Sequence, residues 1–369
     1  MAGATPRAWS VRKASISRTA SVGVRASNRT LPALRALRRV LPEAKITLVV
    51  RPSAKGIFAD VDFVDEILIY DRRTALSVIP QVREWRQQRF DLAVLFQNAF
   101  EAALIPFLAG VPLRLGYATE ARQALLTHPL ALPDWRSSRH EVFYYLYLIT
   151  ALEQLLFSTS AICEAPPDAS LQISDMRKSE AENLLRAYGA HEGKPVVALC
   201  PGSINSRAKR WPVEAYAALA DRLIESGREV LLIGSADEAD VTRAVTQRMQ
   251  QNPIVLTGKT SLDQITAVLS LVDLVVTNDT GPAHLAAALG RPTLVIFGPT
   301  NPLTTRPFAP EAEILRHPPD CAPCMLRDCP IDHRCMTAIT VDDVFEHSHA
   351  LLKRASFAKT VRSLCDSVV

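Results

Sequence analysis

The chain has 369 residues, of which 48% are hydrophobic and 22% charged, so it can build packed cores and is neither disordered nor fibrous. The net charge is +4, yet residues 1–42 hold nine Lys or Arg and no Asp or Glu. The other 33 basic and 38 acidic residues give positions 43–369 a net charge of −5. Because positions 43–369 are weakly acidic, the sequence gives no indication of a nucleic-acid partner.

The apolar runs, the N-terminus and the cysteine content together bear on the cellular compartment of the protein. No apolar run reaches the roughly 18–20 residues that span a bilayer, and the N-terminus lacks the apolar segment of a secretion signal. The acid-free head, rich in Arg, Ser and Ala, resembles an organelle transit peptide, and a divergent or mis-decoded strand segment would look the same. Seven cysteines are too few for a disulfide scaffold, so a reducing compartment is expected.

From about residue 45, short apolar runs alternate with amphipathic stretches, which predicts parallel strands connected by helices. The predicted strands are 45–50, 66–70, 91–96, 113–117, 195–200, 229–233, 254–256, 274–277 and 293–297. The predicted helices are 76–88, 100–109, 142–152, 213–226, 236–249, 262–271, 282–289 and 341–354.

This alternation predicts an α/β fold of two Rossmann-like, doubly wound domains. The first domain covers 1–165, with an atypical first 30 residues, and the second covers 190–335. A terminal helix and tail, 336–369, follow. Because ligands bind beyond the carboxyl ends of parallel strands, the site is expected in a cleft between the domains, on the strand-to-helix loops.

The first loop that carries candidate chemistry is residues 201–212. Gly202 permits close backbone approach, and the hydroxyl groups of Ser203 and Ser206 can bond phosphate oxygens. Lys209 adds a positive charge beside the start of a helix. Taken one by one, these residues would also suit an ordinary solvated loop.

The second loop is residues 278–284. Thr280 and Gly281 stand at a helix N-terminus, where successive backbone N–H groups can bind a diphosphate. His284 lies on the first turn and is either a phosphate ligand or a structural histidine. Asp279 would repel a phosphate, so we expect it to orient donor groups.

Together the two loops resemble glycosyltransferase family 9, the ADP-heptose:lipopolysaccharide heptosyltransferases. The segments that match are 201–203, 209–212, 278–284 and 297–300, and the resemblance covers about residues 31–354. The cysteine-rich segment after residue 320 resembles the branch of the family that adds the second inner-core heptose.

The resemblance implies a GT-B fold and an inverting transfer of heptose from ADP-heptose to a lipid A–Kdo–heptose acceptor, with no required cofactor. It implies a cytoplasmic protein in peripheral contact with the inner membrane. Lys209 and the backbone at Thr280 and Gly281 would stabilise the departing ADP. Glu238 falls where the family places a carboxylate on the ribose, although a solvated first-turn Glu fits equally.

The acceptor side is less defined. Five arginines are candidate contacts for an anionic glycolipid, and a solvated helix face is the alternative for each: Arg35, Arg38, Arg39, Arg51 and Arg114. Similar enzymes have a Gly-Asp after the first strand, whose Asp is the expected general base. Here residues 22–28 resemble the strand and the start of the loop, but 29–32 follow directly and the Gly-Asp is missing.

Three functions therefore remain open: a transferase that uses a remote carboxylate, a donor-binding homologue with impaired transfer, and a nucleotide-sugar epimerase of similar fold. The cysteine cluster adds a further alternative. Its four thiols can hold a structural zinc ion, or they remain reduced or form a redox disulfide. The members are Cys321, Cys324, Cys329 and Cys335. Cys163, Cys200 and Cys365 are isolated and expected to be inert.

Overall fold

The computed structural model describes residues 19–23, 28–72 and 74–366. It divides into two compact units, Met1–Ala169 and Ser170–Val369. Residues 1–18 and 24–27 lie outside the described residues. So do the predictions that fall on them, namely the transit-peptide resemblance and the missing Gly-Asp.

The first unit is a six-stranded parallel sheet in the order β3-β2-β1-β4-β5-β6. Its strands are β1 (Thr19–Gly23), β2 (Lys45–Val50), β3 (Glu66–Ile69), β4 (Leu92–Leu95), β5 (Leu113–Tyr117) and β6 (His128–Leu130). Its helices are α1 (Leu31–Val40), α2 (Val78–Gln88), α3 (Phe100–Ala109) and α4 (Glu141–Phe157). Helix α1 packs on α4 and α2 packs on α3. Right-handed crossovers in opposite directions from β1 put these two pairs on opposite faces of the sheet.

The second unit repeats this plan in the order β12-β11-β10-β7-β8-β9. Its strands are β7 (Val196–Cys200), β8 (Glu229–Leu232), β9 (Ile254–Val255), β10 (Leu274–Asn278), β11 (Thr293–Ile296) and β12 (Ala312–Leu315). Its helices are α5 (Asp175–Ala187), α6 (Val213–Glu225), α7 (Ala239–Thr246), α8 (Leu262–Leu269), α9 (Gly281–Ala288), α10 (Pro302–Thr305), α11 (Arg334–Thr337) and α12 (Val341–Asp366). Helix α12 packs on α6, which makes the terminal helix part of this unit.

The central strands are buried on both faces, which explains their continuous apolar sequences. Every residue of β4 and of β10 is buried. Within the described part of the chain, no helix is both long and apolar enough to cross a membrane.

Every predicted strand is present to within one residue at either end, whereas the edge strands β6 and β12 and helix α5 are among the elements that were missed. The edge strands β6 and β12 are short and only partly buried, so they lack a strong apolar signal. Helix α5 lies between the two predicted domains, 1–165 and 190–335, and it buries only Arg177, Ala181 and Leu185. The segment predicted as a helix at 236–249 begins as a 3-10 turn, Ala236–Glu238, and continues as α7.

Candidate active site

The first and second loops meet because β7 and β10 are hydrogen-bonded neighbours. Asn278, the fully buried last residue of β10, connects them. Its Nδ2 donates to the carbonyl oxygens of Pro201 (3.0 Å) and Gly202 (3.1 Å), and its Oδ1 accepts from the backbone N of Trp211 (3.1 Å) and from the Tyr216 hydroxyl (3.2 Å). One amide therefore holds both ends of the first loop.

Lys209 and Asp279 form an ion pair at this junction. The Lys209 ammonium donates to Oδ2 of Asp279 (2.8 Å) and to its carbonyl oxygen (3.0 Å). Thr300, from the loop after β11, donates its hydroxyl to the same Oδ2 (2.7 Å). Asp279 is 3% exposed and Lys209 is 24% exposed, so a buried carboxylate holds a partly accessible ammonium in place. The structure thus brings these two candidate residues together, and the expectation that Asp279 orients donor groups stays a prediction.

The start of α9 lies beside this pair. Its N-cap is Thr280, whose side chain makes no capping hydrogen bond. Pro282 has no N–H and the Ala283 N–H donates to the Thr280 carbonyl (3.2 Å), so Gly281 carries the backbone N–H that faces outward at this helix start. A Cβ added at Gly281 would meet nothing within 4 Å, so the backbone there is accessible. His284 is buried on the first turn, with Nε2 3.9 Å from Oδ1 of Asp279.

Gly202 and Glu238 are in direct contact. A side chain at Gly202 would overlap the Glu238 carboxylate, so only glycine fits there. Oε2 of Glu238 accepts from the backbone N (2.8 Å) and the hydroxyl (2.9 Å) of Ser235, closing a capping box. Glu238 is therefore buried against the first loop, whereas the alternative interpretation required a solvated side chain.

The serines of the first loop are both buried, with different contacts. The Ser203 carbonyl oxygen accepts from Nη2 (2.9 Å) and Nε (3.2 Å) of Arg210. The Ser206 hydroxyl donates to the carbonyl oxygens of Arg327 (3.2 Å) and Leu326 (3.4 Å). The Ser206 hydroxyl is thus bonded to the cysteine-rich segment. The phosphate contact that we expect of Ser206 stays a prediction.

The cysteine-rich segment covers the first loop and the loop after β11. The backbone N of Ala208 donates to the Arg327 carbonyl (2.9 Å), and Nε2 of His333 donates to the Ala208 carbonyl (2.6 Å). The backbone N of Met325 donates to the Pro299 carbonyl (2.9 Å). The segment therefore positions the backbone at Ala208, directly before Lys209.

The four clustered cysteines are free thiols. Burial, and then the neighbouring Cys324, Cys329 and Cys321, raise the pKa of Cys335 to about 11. Across the described ranges, no group of three or more His, Cys, Asp or Glu side chains is arranged to hold a metal ion. The geometry thus does not fit a zinc site, and we derive no step through a metal. The pKa values of Cys163 and Cys200 are raised to about 12, chiefly by burial, in keeping with inert thiols.

In the first unit, most candidate arginines have structural contacts. Nε of Arg35 lies 3.2 Å from Oδ2 of Asp168, and Arg38 binds Asp65 and the Ala44 carbonyl. Arg114 donates from Nε to the Leu125 carbonyl (2.7 Å), and burial lowers its pKa. Arg39 is exposed and Arg51 lines a cavity.

This cavity of about 60 Å³ lies at the carboxyl ends of β2, β3 and β4. Glu101, on the first turn of α3, lines it with Arg51, Tyr70 and Arg72. The Tyr70 hydroxyl donates to Glu101, and Nε of Arg72 lies 2.9 Å from its Oε2. Burial, followed by Glu101, raises the pKa of Tyr70 well above its ordinary value.

Sequence reasoning missed the roles of Asn278, Thr300 and His333. Asn278 and Thr300 stand inside recognised motifs, and a polar residue at the end of an apolar strand was the available signal. No signal along the chain could pair His333 with Ala208, because they are 125 residues apart.

Two parallel six-stranded units in tandem define a Rossmann-like fold of the GT-B class. The solved structure titled E. coli ADP-heptose lps heptosyltransferase II supports this class. It has a TM-score of 0.78 and 26% identity, and the match covers 91% of this chain and 99% of that one.

The profile of glycosyltransferase family 9 (heptosyltransferase) matches residues 80–334. Lipopolysaccharide heptosyltransferase 2 of Escherichia coli K12 is 33% identical over 238 residues, which cover 63% of this chain and 66% of that protein. Lipooligosaccharide heptosyltransferase 2 of Haemophilus influenzae is 30% identical over 244 residues, covering 62% and 66%. The chain thus spans about 66% of the length of these curated relatives. It belongs to glycosyltransferase family 9, which confirms the resemblance drawn from the two loops.

Proposed function

We propose that this protein is an inverting glycosyltransferase that moves heptose from ADP-heptose to the lipopolysaccharide inner core, adding the second heptose. The observation that carries the proposal is the Lys209–Asp279 pair beside the open N-terminus of α9. Support comes from the family membership and from relatives whose names describe heptosyltransferase 2.

The diphosphate would bind at the N-terminus of α9, at the Gly281 N–H, where the helix dipole favours negative charge. Two N–H groups of the Lys209 ammonium are directed to Asp279, which leaves a third for a phosphate oxygen. Because Asp279 and Thr300 hold Lys209 before the reaction, its charge needs no rearrangement as ADP departs. We propose that this fixed charge, without a cofactor, stabilises the leaving group.

Glu238 would bind the ribose of the donor. Oε2 is held by Ser235, and the carboxylate lies against Gly202, so it has a fixed position at the edge of the first loop. A carboxylate accepts hydrogen bonds from two adjacent hydroxyl groups, which suits a ribose.

The acceptor would bind at the carboxyl edge of the first sheet, where Arg51 and Arg72 line the cavity. Guanidinium groups bind phosphates and carboxylates, the anionic groups of a lipid A–Kdo–heptose acceptor. Because such an acceptor is anchored in lipid, we place the protein in the cytoplasm, in peripheral contact with the inner membrane. The general base stays unassigned.

The test is transfer from ADP-heptose to an inner-core acceptor by the purified full chain. Lys209→Ala should lower kcat/KM by roughly 100- to 1000-fold, the usual effect of removing one preorganised stabilising group. Lys178→Ala is the matched control, because Lys178 pairs with an exposed aspartate, Asp175, at 3.0 Å on α5. Equal activity of the Lys209 variant and wild type would refute the role.

The same assay separates the two alternatives. A donor-binding homologue would be stabilised thermally by ADP-heptose yet transfer nothing. An epimerase would release free sugar or nucleotide without an acceptor. The family match favours the transferase over both.

A further inference from the structure

Helices α2 and α3 pack side by side on one face of the first sheet and leave apolar side chains on their outer surface. Four of these are large and well exposed: Ile79 (49%), Phe100 (46%), Phe107 (43%) and Leu108 (41%). Single exposed apolar side chains are ordinary, but four on two adjacent helices are a grouped surface that indicates a partner.

Arginines share this surface. Arg83 and Arg86 of α2, and Arg89 just after it, are exposed. In the part of the chain that the structure describes, none of these three guanidinium groups bonds to a carboxylate. Two arginines contact residues of this group, one at a backbone carbonyl and one at an aromatic ring. Arg86 donates to the Leu108 carbonyl from Nη2 (2.8 Å) and Nε (3.2 Å), and the Arg114 guanidinium lies 5.4 Å from the centre of the Phe107 ring.

The carboxylates of these helices do not offset this charge at the surface. Glu84 is half-buried and accepts from Nε2 of Gln81 (2.9 Å). Glu101 lies in the cavity, bonded to Tyr70 and Arg72. The surface is therefore positive, although positions 43–369 carry a net charge of −5.

We propose that this α2–α3 face, made of Ile79, Arg83, Arg86, Phe100, Phe107 and Leu108, docks on an anionic lipid bilayer. The apolar side chains would enter the boundary between headgroups and acyl chains, and the guanidinium groups would contact lipid phosphates. Charge complementarity favours this occupant over a second copy, because a symmetric contact would bring two positive faces together.

The position of the face agrees with the proposed function, on which this inference rests. A helix that follows a parallel strand begins at the carboxyl edge of the sheet, so Phe100 lies at the edge that holds the cavity lined by Arg51 and Glu101. A bilayer on the α2–α3 face would therefore lie beside the edge where a lipid-linked acceptor is proposed to bind.

The test is flotation of the purified full chain with vesicles of phosphatidylcholine, with and without phosphatidylglycerol. Wild type should bind the anionic vesicles and release them as salt rises, because screening shortens the reach of the guanidinium charges. Arg83→Glu with Arg89→Glu should weaken binding by on the order of tenfold or more. Phe107→Ser with Leu108→Ser should weaken it by a similar factor.

Matched controls lie on the second unit. Met176→Ser removes an exposed apolar side chain (69%) and Arg186→Glu reverses an exposed charge on the same helix, α5, and neither should change vesicle binding. Circular dichroism of each variant verifies folding. Failure of wild type to bind anionic vesicles, or equal binding by the face variants, overturns the proposal. So does a wild-type dimer in solution that the face variants abolish.

Transfer to a water-soluble, delipidated acceptor separates this inference from the proposed function. The face variants should retain wild-type turnover with that acceptor. If wild type transfers no heptose but still binds anionic vesicles through this face, the function fails and the docking surface stands.

Discussion

The two units share one architecture but hold their ligand loops differently. In the second unit a neutral side chain, Asn278, joins the loops after β7 and β10. In the first, a fully buried arginine, Arg122, joins the loops after β4 and β5. Its Nε donates to the Tyr117 carbonyl (2.9 Å), its Nη2 to Oδ1 of Asn98 (3.1 Å) and its Nη1 to the Gln97 carbonyl.

The difference concerns charge at the carboxyl edge. The connection in the second unit is neutral, and the charged groups beside α9 are the Lys209–Asp279 ion pair. Burial lowers the pKa of Arg122 to about 10, yet the group stays protonated at neutral pH, which adds a buried positive charge to the first unit. The Arg136 guanidinium, 5.1 Å from the centre of the Tyr144 ring, extends this positive region. The second unit thus holds an ion pair at its carboxyl edge, whereas the first holds a buried positive charge there.

The largest expected effect comes from removing the Asn278 amide that joins the loops after β7 and β10. Asn278→Ala would leave the carbonyl groups of Pro201 and Gly202 and the backbone N–H of Trp211 buried without this partner. We expect the free energy of unfolding to fall by about 3 kcal/mol or more, measured by urea denaturation. ADP binding should weaken as well, because the first loop loses its anchor.

Asn301→Ala is the control for that change. Asn301 caps α10 with a single hydrogen bond, from the backbone N of Leu303 (3.0 Å). Its loss should cost about 1 kcal/mol. Similar costs for the two asparagines would contradict the bridging role of Asn278.

Replacing Arg122, which joins the loops after β4 and β5, should lower the free energy of unfolding by a smaller amount. Arg122→Lys retains the charge but loses the planar fork that reaches three acceptors, so the free energy of unfolding should fall by about 2 kcal/mol. ADP binding in the second unit should be unchanged, as measured by calorimetry. A loss of ADP affinity in this variant would show that the two edges are coupled.

The smallest expected effect concerns the cysteine-rich segment and its residue His333. His333→Ala removes the hydrogen bond to the Ala208 carbonyl, next to Lys209. We expect KM for the donor to rise several-fold, equivalent to about 1 kcal/mol, with little change in kcat. His333→Gln, whose amide can donate to the same carbonyl, should restore part of the affinity. A fall in kcat at constant KM would instead place His333 in the chemistry.

Much of the fold could be predicted because parallel strands that are buried on both faces leave a plain apolar signature. Strand β2 and helix α3 were predicted to the residue for this reason. Helix α5 and the edge strand β12 were missed, since each buries little and depends on neighbours distant in the chain.

For the site, the sequence by itself determined the chemical groups and the family. Lys209, Asp279, Thr280 and Gly281 stand in motifs whose residue types suit a diphosphate, and the family profile agrees. What only the tertiary structure decided is how those groups are held. Contacts that join Lys209 to Asp279, Asn278 to Pro201 and His333 to Ala208 span 70 to 125 residues, and sequence spacing carries no record of them. They form because neighbouring parallel strands end at the same edge of the sheet, which brings loops from distant parts of the chain together.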